Sequence, residues 1–587
     1  MFKPIKNFSR KDWIIVIMCV ILITFQVWLD LRLPEYMSNI TVLIQKENNN
    51  LSEILKNGAF MLICAFSSLI SAIIVGYLTS KLSANFSYII RNKIFNKVGQ
   101  FGMEEVKKFK TSSLITRTTN DVTQLEMFIA MGLQMLIKAP IMAFWAVSKI
   151  LNKNLEWSIL TGGGVVILLI TITIIFLIVF PRFEKVQKLI DKLNGVTREN
   201  LTGIRVIRAF NAEKYVTNRF EDVNKDLTDM QTFNQKCFAI LNPVMNLVMH
   251  SLTLGIYFIG AYLIDKANML DKINLFSNMV VFTSYGMQVI AAFLMLAMIF
   301  MILPRAGVSA KRINEILDSE ISLEDGNLNT NKRKEEGTIE FKNVTFRYPD
   351  SDENILSDVS FKVNKGETVA FIGSTGSGKS TLINLVPRFY DVTSGEVLVD
   401  GFNVKDYNQS DLHNIIGYVS QKAVMFTGTV KDNVGYGYNG KEKANNKLIE
   451  KAIEVAEAKD FVSKMDNGID SHIARGGTNI SGGQKQRLSI ARAIARNPEI
   501  YIFDDSFSAL DYKTDLKLRK NLKKYTKDAT LLIVAQRIGT IISADKIVVL
   551  DKGKCVGIGT HKELLKNCEV YKEIALSQIT KEELENA

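Results

Sequence analysis

The residues with the clearest chemical use form one short loop rich in glycine and hydroxyl groups. The loop consists of Gly373, Ser374, Thr375, Gly376, Ser377, Gly378, Lys379, Ser380 and Thr381. Glycines let backbone N–H groups converge on phosphate oxygens, and the start of a following helix adds a favourable dipole. In this pattern Lys379 reaches the outer phosphates of a nucleotide, and the Ser380 hydroxyl ligates Mg²⁺. The spacing therefore predicts a phosphate-binding loop.

The segments around this loop have the right character to hold it. Residues 367–372 are apolar and predict a buried strand, and residues 382–386 predict the start of a helix. A second apolar run, 500–503, predicts another buried strand that ends in Asp504, where a carboxylate organises Mg²⁺. An alternating strand over 339–348 ends at Tyr348, which we expect to stack on the nucleotide base. The second half of the chain is thus predicted to be a soluble α/β nucleotide-binding domain.

One further glycine pair precedes a predicted helix. Ser481, Gly482, Gly483 and Gln484 lie ahead of a helix expected to begin near Leu488. Like the first loop, this helix start is predicted to contact phosphate.

The first half of the chain is a membrane domain by composition. Six apolar stretches are long enough to cross a hydrocarbon layer of ~30 Å. They lie near 13–33, 58–80, 129–150, 157–180, 239–264 and 276–302. Basic residues precede the first stretch, but no small-residue cleavage site follows it, so we expect a retained membrane helix. Hydrophobic residues make up 47% of the chain although 22% are charged, which fits an apolar half joined to a soluble half.

Basic residues predict the orientation of these spans. The long loops 81–128 and 181–236 hold eight and eleven Lys/Arg, whereas the three short loops hold five together. Cytoplasmic loops carry the excess of Lys and Arg, so both termini and both long loops are predicted to be cytoplasmic. The net charge of +12 is explained by these loops, and no basic-aromatic motif indicates nucleic acid. The five scattered cysteines indicate neither a disulfide framework nor a zinc site.

Both long loops carry apolar residues at helical spacing. We expect the membrane helices to continue into the cytoplasm, each pair closed by a short transverse helix, at 101–109 and at 210–220. Lys138, His250 and Gln288 are polar groups inside predicted spans and are candidates for the transport pathway. Methionines cluster on the last two spans, where they indicate either a plastic substrate cavity or ordinary packing. These are Met245, Met249, Met279, Met287, Met295 and Met298.

Taken together, these motifs resemble a half-transporter of the ATP-binding cassette (ABC) exporter family over all 587 residues. The resemblance implies a polytopic α-helical membrane domain of six long transmembrane helices. Fused to it is an α/β P-loop nucleotide-binding domain with an antiparallel β subdomain and a helical subdomain. We predict a transmembrane domain over 1–302, a linker over 303–337 that ends in the charged run 331–337, and an ATP-binding cassette domain over 338–587.

The resemblance also assigns roles to residues. Tyr348 matches the residue that stacks on the adenine base, and Gln421 matches the one that links Mg²⁺ to the membrane domain. With Ser380 and Asp504, Gln421 completes the implied metal set. Asp511 matches the D-loop aspartate. The segment from Ser481 to Gln484 matches the signature that closes on ATP held by a second subunit, and 101–109 and 210–220 match the coupling helices.

Two positions depart from the family pattern. The family has Glu, which polarises the attacking water, where this chain has Asp505, shorter by one methylene or ~1.5 Å. It has a His that contacts the γ-phosphate where this chain has Gln536, an amide that cannot become cationic. Arg475 stands where the family often carries Glu. The pattern resembles the degenerate-site subunit of a bacterial heterodimeric multidrug-type exporter.

These features predict ATP-driven export of a hydrophobic or amphipathic small molecule across the bacterial plasma membrane, with ATP and Mg²⁺ as cofactors. Hydrolysis is expected mainly at the partner subunit's site, which the signature of this chain completes. A homodimer with two slow sites remains the alternative assembly. A lipid flippase, or an ATP-gated channel or regulatory subunit, remains the alternative function.

Overall fold

The computed structural model describes residues 8–45, 51–151, 155–328, 335–437 and 444–578. The chain divides into two compact units, one comprising Met1–Gly99 with Thr111–Ser319, the other Gln100–Lys110 with Glu320–Ala587. The short segment Gln100–Lys110 therefore belongs with the second unit although it lies within the first in sequence. Most of the predicted charged run at 331–337 lies outside the described residues.

The first unit is built of helices. Its elements are α1 (Arg10–Gln45), α2 (Leu51–Gly99), α4 (Thr111–Thr118), α5 (Asn120–Met127), α6 (Leu133–Leu151), α7 (Leu155–Ala209), α8 (Glu213–Ala239), α9 (Leu241–Lys266) and α10 (Met269–Leu317), while α3 (Met103–Phe109) lies in the second unit. A π-helical segment, Phe128–Gly132, joins α5 to α6. Among the described residues, six helical stretches are long and apolar enough to cross a membrane, and they contain the six predicted spans.

The structure contains one of the two predicted transverse helices but not the other. The first, expected at 101–109, is α3. The prediction of a separate short helix at 210–220 is wrong, because α8 begins at Glu213 and continues without a break to Ala239. Only residues 210–212 form the turn after α7, and Asn211 makes the reversal with φ of 51°. Helix-forming residues continue past Phe220 with no glycine or proline to stop them.

The last membrane helix is longer than the apolar run from which it was predicted. α10 continues through Pro304 to Leu317, so the first part of the segment predicted as a linker is helical. Ala306, Ala310 and Ile313 are buried on it at helical spacing. This spacing explains why the helix persists after the strongly apolar residues end.

The second unit contains three sheets. Its strands are β1 (Ile339–Phe346), β2 (Leu356–Val363), β3 (Thr368–Gly373), β4 (Ser394–Val399), β5 (Phe402–Asn403), β6 (Ile416–Val419), β7 (Gly428–Thr429), β8 (His472–Ile473), β9 (Ile500–Asp504), β10 (Thr530–Val534), β11 (Lys546–Asp551) and β12 (Lys554–Gly559). The six-stranded sheet has the order β12-β11-β3-β10-β9-β6 and is parallel except for β12. An antiparallel sheet has the order β2-β1-β4-β5, and β7 pairs with β8.

Helices accompany these strands. They are α11 (Lys379–Asn384), α12 (Gln409–Asn414), α13 (Val430–Val434), α14 (Asn446–Val455), α15 (Lys459–Val462), α16 (Gly482–Ala495), α17 (Tyr512–Tyr525), α18 (Ile538–Ile541), α19 (His561–Asn567) and α20 (Glu569–Leu576). One apolar core joins the six-stranded sheet to α13, α14 and α16, and a second lies between that sheet and the antiparallel sheet. β9 and β10 are buried along their whole length, as expected for parallel strands covered on both faces.

Candidate functional site

The glycine-rich loop connects β3 to α11 at the carboxyl edge of the six-stranded sheet. Gly378 precedes α11 with φ of 97°, in the left-handed region that favours glycine. A Cβ at this position would lie 2.7 Å from Leu356 Cδ2 and 3.1 Å from the Ile355 carbonyl oxygen. The loop conformation therefore depends on this glycine.

Lys379 is directed into the loop that precedes it. Its ammonium donates to the carbonyl oxygens of Gly373 at 2.9 Å and Ser374 at 2.7 Å, and lies 3.3 Å from Ser377 Oγ. Burial lowers the pKa of this ammonium, and the nearby carboxylates of Asp505 and Asp504 oppose that shift. A cation held inside the loop is well placed to meet phosphate oxygens.

Ser380 and Asp504 come together although 124 positions separate them in sequence. The Ser380 hydroxyl donates to Asp504 Oδ1 at 2.8 Å. Asp504 ends β9 two strands away from β3, and β10 lies between them. Burial raises the pKa of its carboxyl; the Ser380 hydrogen bond lowers it, and the neighbouring Asp505 carboxylate raises it. The pairing places one hydroxyl and one carboxylate at the position that the sequence predicts for Mg²⁺.

The two positions that depart from the family pattern are in direct contact. Gln536 Nε2 donates to Asp505 Oδ2 at 2.9 Å, and Gln421 Nε2 donates to the same oxygen at 3.1 Å. Asp505 itself is 8% exposed and adopts φ of 47°, with its backbone N–H bonded to the Val534 carbonyl at 3.1 Å. One carboxylate oxygen therefore holds two amide side chains. The sequence indicated these residues separately, and the fold gathers them into one cluster.

The predicted base-stacking residue contacts a cation that sequence reasoning missed. Lys107 Nζ of α3 lies 4.4 Å from the centre of the Tyr348 ring and 5.6 Å from that of Tyr390. The Tyr348 hydroxyl is 3.1 Å from Thr381 Oγ1, which connects it to the glycine-rich loop. A cavity of about 290 Å³ opens here, lined by Glu104, Lys107, Lys108, Tyr348, Pro349, Asp350 and Tyr390. The basic pair in the predicted helix 101–109 was the only signal of this contact in the sequence.

The predicted signature segment forms an exposed helix start. Ser481 caps α16 by accepting from the Gln484 backbone N–H at 3.4 Å, and its own N–H donates to Gln484 Oε1 at 2.8 Å. Gly482 and Gly483 are the first helical residues, and Ser481 and Gly482 are exposed. Such a start presents backbone N–H groups to an incoming anion.

Asp511 caps a second helix, α17, by accepting from the Thr514 backbone N–H at 2.9 Å. Hydrogen bonds from Thr514 hold the pKa of the Asp511 carboxyl below its ordinary value. Arg475 lies in an exposed turn ahead of the signature, between Ala474 and Gly476.

Two of the three predicted intramembrane polar residues meet around a residue that was not predicted. Lys138 Nζ lies 3.6 Å from Asp30 Oδ2, and Gln288 Nε2 donates to the Asp30 carbonyl oxygen at 3.3 Å. His250 is exposed on α9. In the sequence, the only indication of this contact was the single Asp within the first apolar span.

The six methionines occupy three kinds of position. Met245 and Met249 lie in or against one apolar cluster, and Met279 and Met295 lie in or against another. Met287 and Met298 are exposed.

Comparison with known proteins agrees with this geometry. Residues 356–508 match the ABC transporter family, and residues 16–293 match the ABC transporter transmembrane region. An uncharacterised ABC transporter ATP-binding protein of Mycobacterium tuberculosis is 38% identical over 530 residues, covering 89% of each chain. A putative multidrug export ATP-binding/permease protein of Bacillus subtilis, YgaD, is 31% identical over 521 residues, covering 85% of this chain and 84% of its own.

The fold also matches a solved structure. A bacterial Atm1-family ABC exporter with ATP bound has a TM-score of 0.79 at 23% sequence identity, covering 97% of this chain and 99% of that one. Both of the relatives named above come from bacteria. Six apolar helices together with these relatives indicate a multi-pass plasma membrane protein. The chain belongs to the ABC transporter family, as an exporter half-transporter that couples ATP hydrolysis to transport.

Proposed function

We propose that this chain is the degenerate-site half of a heterodimeric exporter of hydrophobic or amphipathic small molecules. The observation that carries the proposal is the cluster formed by Asp505, Gln536 and Gln421 on one carboxylate oxygen. The two residues that would have to polarise water and contact the γ-phosphate are an Asp and an amide, and they bond to each other.

The chemistry of Asp505 argues for slow hydrolysis at this subunit's own site. A general base must come within ~2.6–3.2 Å of the proton that it removes, and its acceptor oxygen must be available. Oδ2 already accepts from two amides, and the Asp side chain is shorter by one methylene than Glu. The two amides hold the carboxylate in place, so its other oxygen, Oδ1, cannot move forward to make up for the missing methylene unless these hydrogen bonds break.

Gln536 adds a second reason. A neutral amide donates its hydrogen bonds without a positive charge, so it stabilises developing phosphate charge less than a cation does. Its Nε2 lies 2.9 Å from Asp505 Oδ2. We infer that the site binds ATP and retains it over many turnovers.

The residues present fit ATP and Mg²⁺. Lys379 would meet the outer phosphates, and Tyr348 would stack on the base beside Lys107. Ser380, Asp504 and Gln421 offer oxygen ligands, as Mg²⁺ prefers. Phosphate oxygens of the bound nucleotide would complete the set. Bound there, Mg²⁺ would neutralise charge between the outer phosphates.

The signature would act in the other subunit's site. The exposed start of α16, capped by Ser481, would close on ATP held by the partner, with Asp511 at the same interface. In this scheme two ATPs hold the nucleotide-binding domains together, and hydrolysis at the competent site releases them.

The proposed domain limits are 1–302 for the transmembrane domain, 303–337 for the linker and 338–587 for the ATP-binding cassette domain. The last membrane helix, α10, continues into the proposed linker.

The cargo class is supported by similarity to the putative multidrug export protein of B. subtilis and by the apolar character of the membrane helices.

The test compares two substitutions in the assembled complex. Asp505→Asn should reduce ATPase activity less than about threefold, because this site contributes little turnover. Gly483→Asp should reduce it by more than about 100-fold, because it places a carboxylate against the partner's phosphate. Ser481→Ala serves as a milder version, with unfolding measured in parallel because it also removes a helix cap. If Asp505→Asn proves the more damaging change, this site is the active one and the proposal fails.

Purification of the complex through a tag on this chain tests the proposed heterodimer. The tagged chain should copurify with a second half-transporter that carries Glu and His at the positions of Asp505 and Gln536. Recovery of an active homodimer would refute the heterodimer.

A further inference from the structure

Three helices of the membrane unit direct polar side chains to one residue, Asp30 of α1. The Ser68 hydroxyl of α2 donates to Asp30 Oδ1 at 2.6 Å, and Lys138 of α6 lies 3.6 Å from Oδ2. Gln288 of α10 donates to the Asp30 carbonyl oxygen at 3.3 Å. We call Asp30, Ser68, Lys138 and Gln288 the Asp30 cluster.

The Asp30 cluster lies within the predicted membrane spans. At ~1.5 Å per residue, Asp30 lies ~5 Å along α1 from residue 33 and Lys138 ~18 Å along α6 from residue 150, where their predicted spans end. These are the ends that the distribution of basic residues places outside the cell. Charged side chains within a span are expensive and are usually functional.

A second ion pair joins the same two helices and provides a contrast. Lys149 Nζ of α6 lies 2.6 Å from Glu35 Oε1 of α1, and Arg32 holds the other Glu35 oxygen at 3.0 Å. Charge-assisted hydrogen bonds between nitrogen and carboxylate oxygen are ~2.7–2.9 Å long. The Glu35 pair is thus tight, whereas the Lys138–Asp30 pair at 3.6 Å is loose.

The two charges of the loose pair differ in how firmly they are held. Asp30 has a short side chain, fixed by the Ser68 hydroxyl, while Lys138 carries its ammonium on four methylenes. Lys138 can therefore turn away more readily than Asp30. An incoming cation would replace a mobile ammonium, whereas an incoming anion would be brought next to a fixed carboxylate.

Gln288 supplies a further acceptor. Its Oε1 is buried and has no hydrogen-bond partner among the residues that the structure describes. Buried polar atoms are usually satisfied, so an acceptor left open beside Asp30 indicates a donor that arrives from elsewhere. A primary ammonium has N–H groups for both Asp30 and Gln288.

The cluster is open and bordered by apolar side chains. The side chains of Asp30 and Lys138 are 26% and 22% exposed, so a ligand can reach them. Ile141 of α6, one helical turn from Lys138, is only partly buried and packs against the adjoining apolar core. A charged head at Asp30 would therefore have apolar surface nearby for a hydrocarbon body.

We propose that the Asp30 cluster is a recognition site for amphipathic amines, in which the substrate's ammonium replaces Lys138 on Asp30 and donates to Gln288. This inference rests on the proposed export function and narrows its cargo from amphipathic molecules in general to cationic ones.

The test uses three probes that share one fluorophore: dansylcadaverine, which carries a primary ammonium; its neutral N-acetyl derivative; and dansyl-6-aminohexanoate, which is anionic. Equilibrium binding to the assembled transporter in lipid nanodiscs is followed by dansyl fluorescence without ATP. We expect the amine to bind at least tenfold more tightly than either control. Asp30→Asn should bring the three affinities within twofold, whereas Lys138→Met should keep or raise the affinity for the amine.

The matched control is the double variant Glu35→Gln with Lys149→Met, which removes an ion pair between the same helices and should keep the preference for the amine. If a single charge change prevents assembly, the double variant Asp30→Asn with Lys138→Met leaves no charge unpaired and should also lose the preference. An unchanged preference in Asp30→Asn, or tighter binding of the anion, would overturn the inference. So would a control variant that loses the preference as Asp30→Asn does.

ATP-driven uptake into inverted vesicles separates this inference from the function on which it rests. Equal uptake of all three probes by the wild-type complex would support export and overturn the cationic site. Selective binding of the amine without ATP-driven uptake would support the site and overturn export of this class.

Discussion

Gly482 offers a substitution in which stability and activity should move in opposite directions. It is the first residue of α16, directly after the Ser481 cap, and a Cβ built there meets nothing within 4 Å. Alanine in a helix is favoured over glycine by ~0.5–1 kcal/mol, chiefly because glycine loses more conformational freedom on folding. Gly482→Ala should therefore raise the unfolding midpoint of the nucleotide-binding domain, by about 1–4 °C for a domain of this size.

The same methyl group should damage catalysis. In the proposed complex the backbone N–H groups at the start of α16 approach the partner's γ-phosphate, so the space that is open in this chain would be filled by phosphate. Alanine keeps its backbone N–H, but its methyl group would hold the phosphate away from that donor, and losing one such preorganised donor typically costs ~10²–10³-fold in rate. We expect a loss of ATPase activity of about 100-fold, equivalent to ~2.7 kcal/mol of barrier.

The assay measures steady-state ATPase activity and thermal unfolding on the same preparation of the assembled complex. Gly58→Ala is the matched control, since Gly58 is also helical and a Cβ there also meets nothing within 4 Å. This control should keep wild-type ATPase activity. Gly483→Ala is less informative, because its Cβ would lie 3.3 Å from the Ala509 carbonyl oxygen.

Two results would contradict the reasoning. Wild-type ATPase activity in Gly482→Ala, with a raised midpoint, would show that the start of α16 does not close on a phosphate. A fall of activity and midpoint together would show that the space around Gly482 is needed for folding.

Three further predictions concern the nucleotide-binding domain. Lys379→Ala should weaken photolabelling of this subunit by an ATP analogue, because it removes the cation held in the phosphate-binding loop; unchanged labelling would contradict that assignment. Asp505→Glu combined with Gln536→His should change steady-state ATPase less than about threefold, since the partner's signature is expected to be degenerate too; rapid single-turnover hydrolysis of two ATPs per complex would refute this. Burial lowers the pKa of His413 and His561, so protonation of either side chain favours the unfolded state. Their contribution to stability is fully present above pH 6.5, their ordinary pKa, and is lost as the pH falls below it. The unfolding midpoint should fall as pH drops from 7.5 to 5.5, and replacing both histidines by Gln should flatten that slope.

Local pattern was sufficient where one segment of chain performs the whole task. The loop from Gly373 to Thr381 is strand, turn and helix in a single stretch, so its phosphate-binding character follows from residue type and order. The membrane spans were equally predictable from sequence, because about twenty consecutive apolar residues must satisfy their backbone hydrogen bonds within one helix.

Element ends were less predictable than element types. The turn at Asn211 leads directly into α8, which the sequence split into a short helix and a later span, because nothing in 213–239 distinguishes a transverse helix from the beginning of a long one. Likewise α10 passes through Pro304, since burial of its later residues outweighs the change in composition.

The sequence by itself determined the family, predicted the phosphate-binding loop and marked Asp505 and Gln536 as departures from the family pattern. Only the tertiary structure decided which side chains meet: Gln421 and Gln536 on Asp505, Lys107 on Tyr348, and Lys138 on Asp30. The physical reason is that these contacts join residues from 31 to 241 positions apart, through strand order and helix packing that no local periodicity encodes. From sequence alone, an isolated Asp in an apolar span has no evident role. The structure shows that three other helices place a hydroxyl, an ammonium and an amide around Asp30.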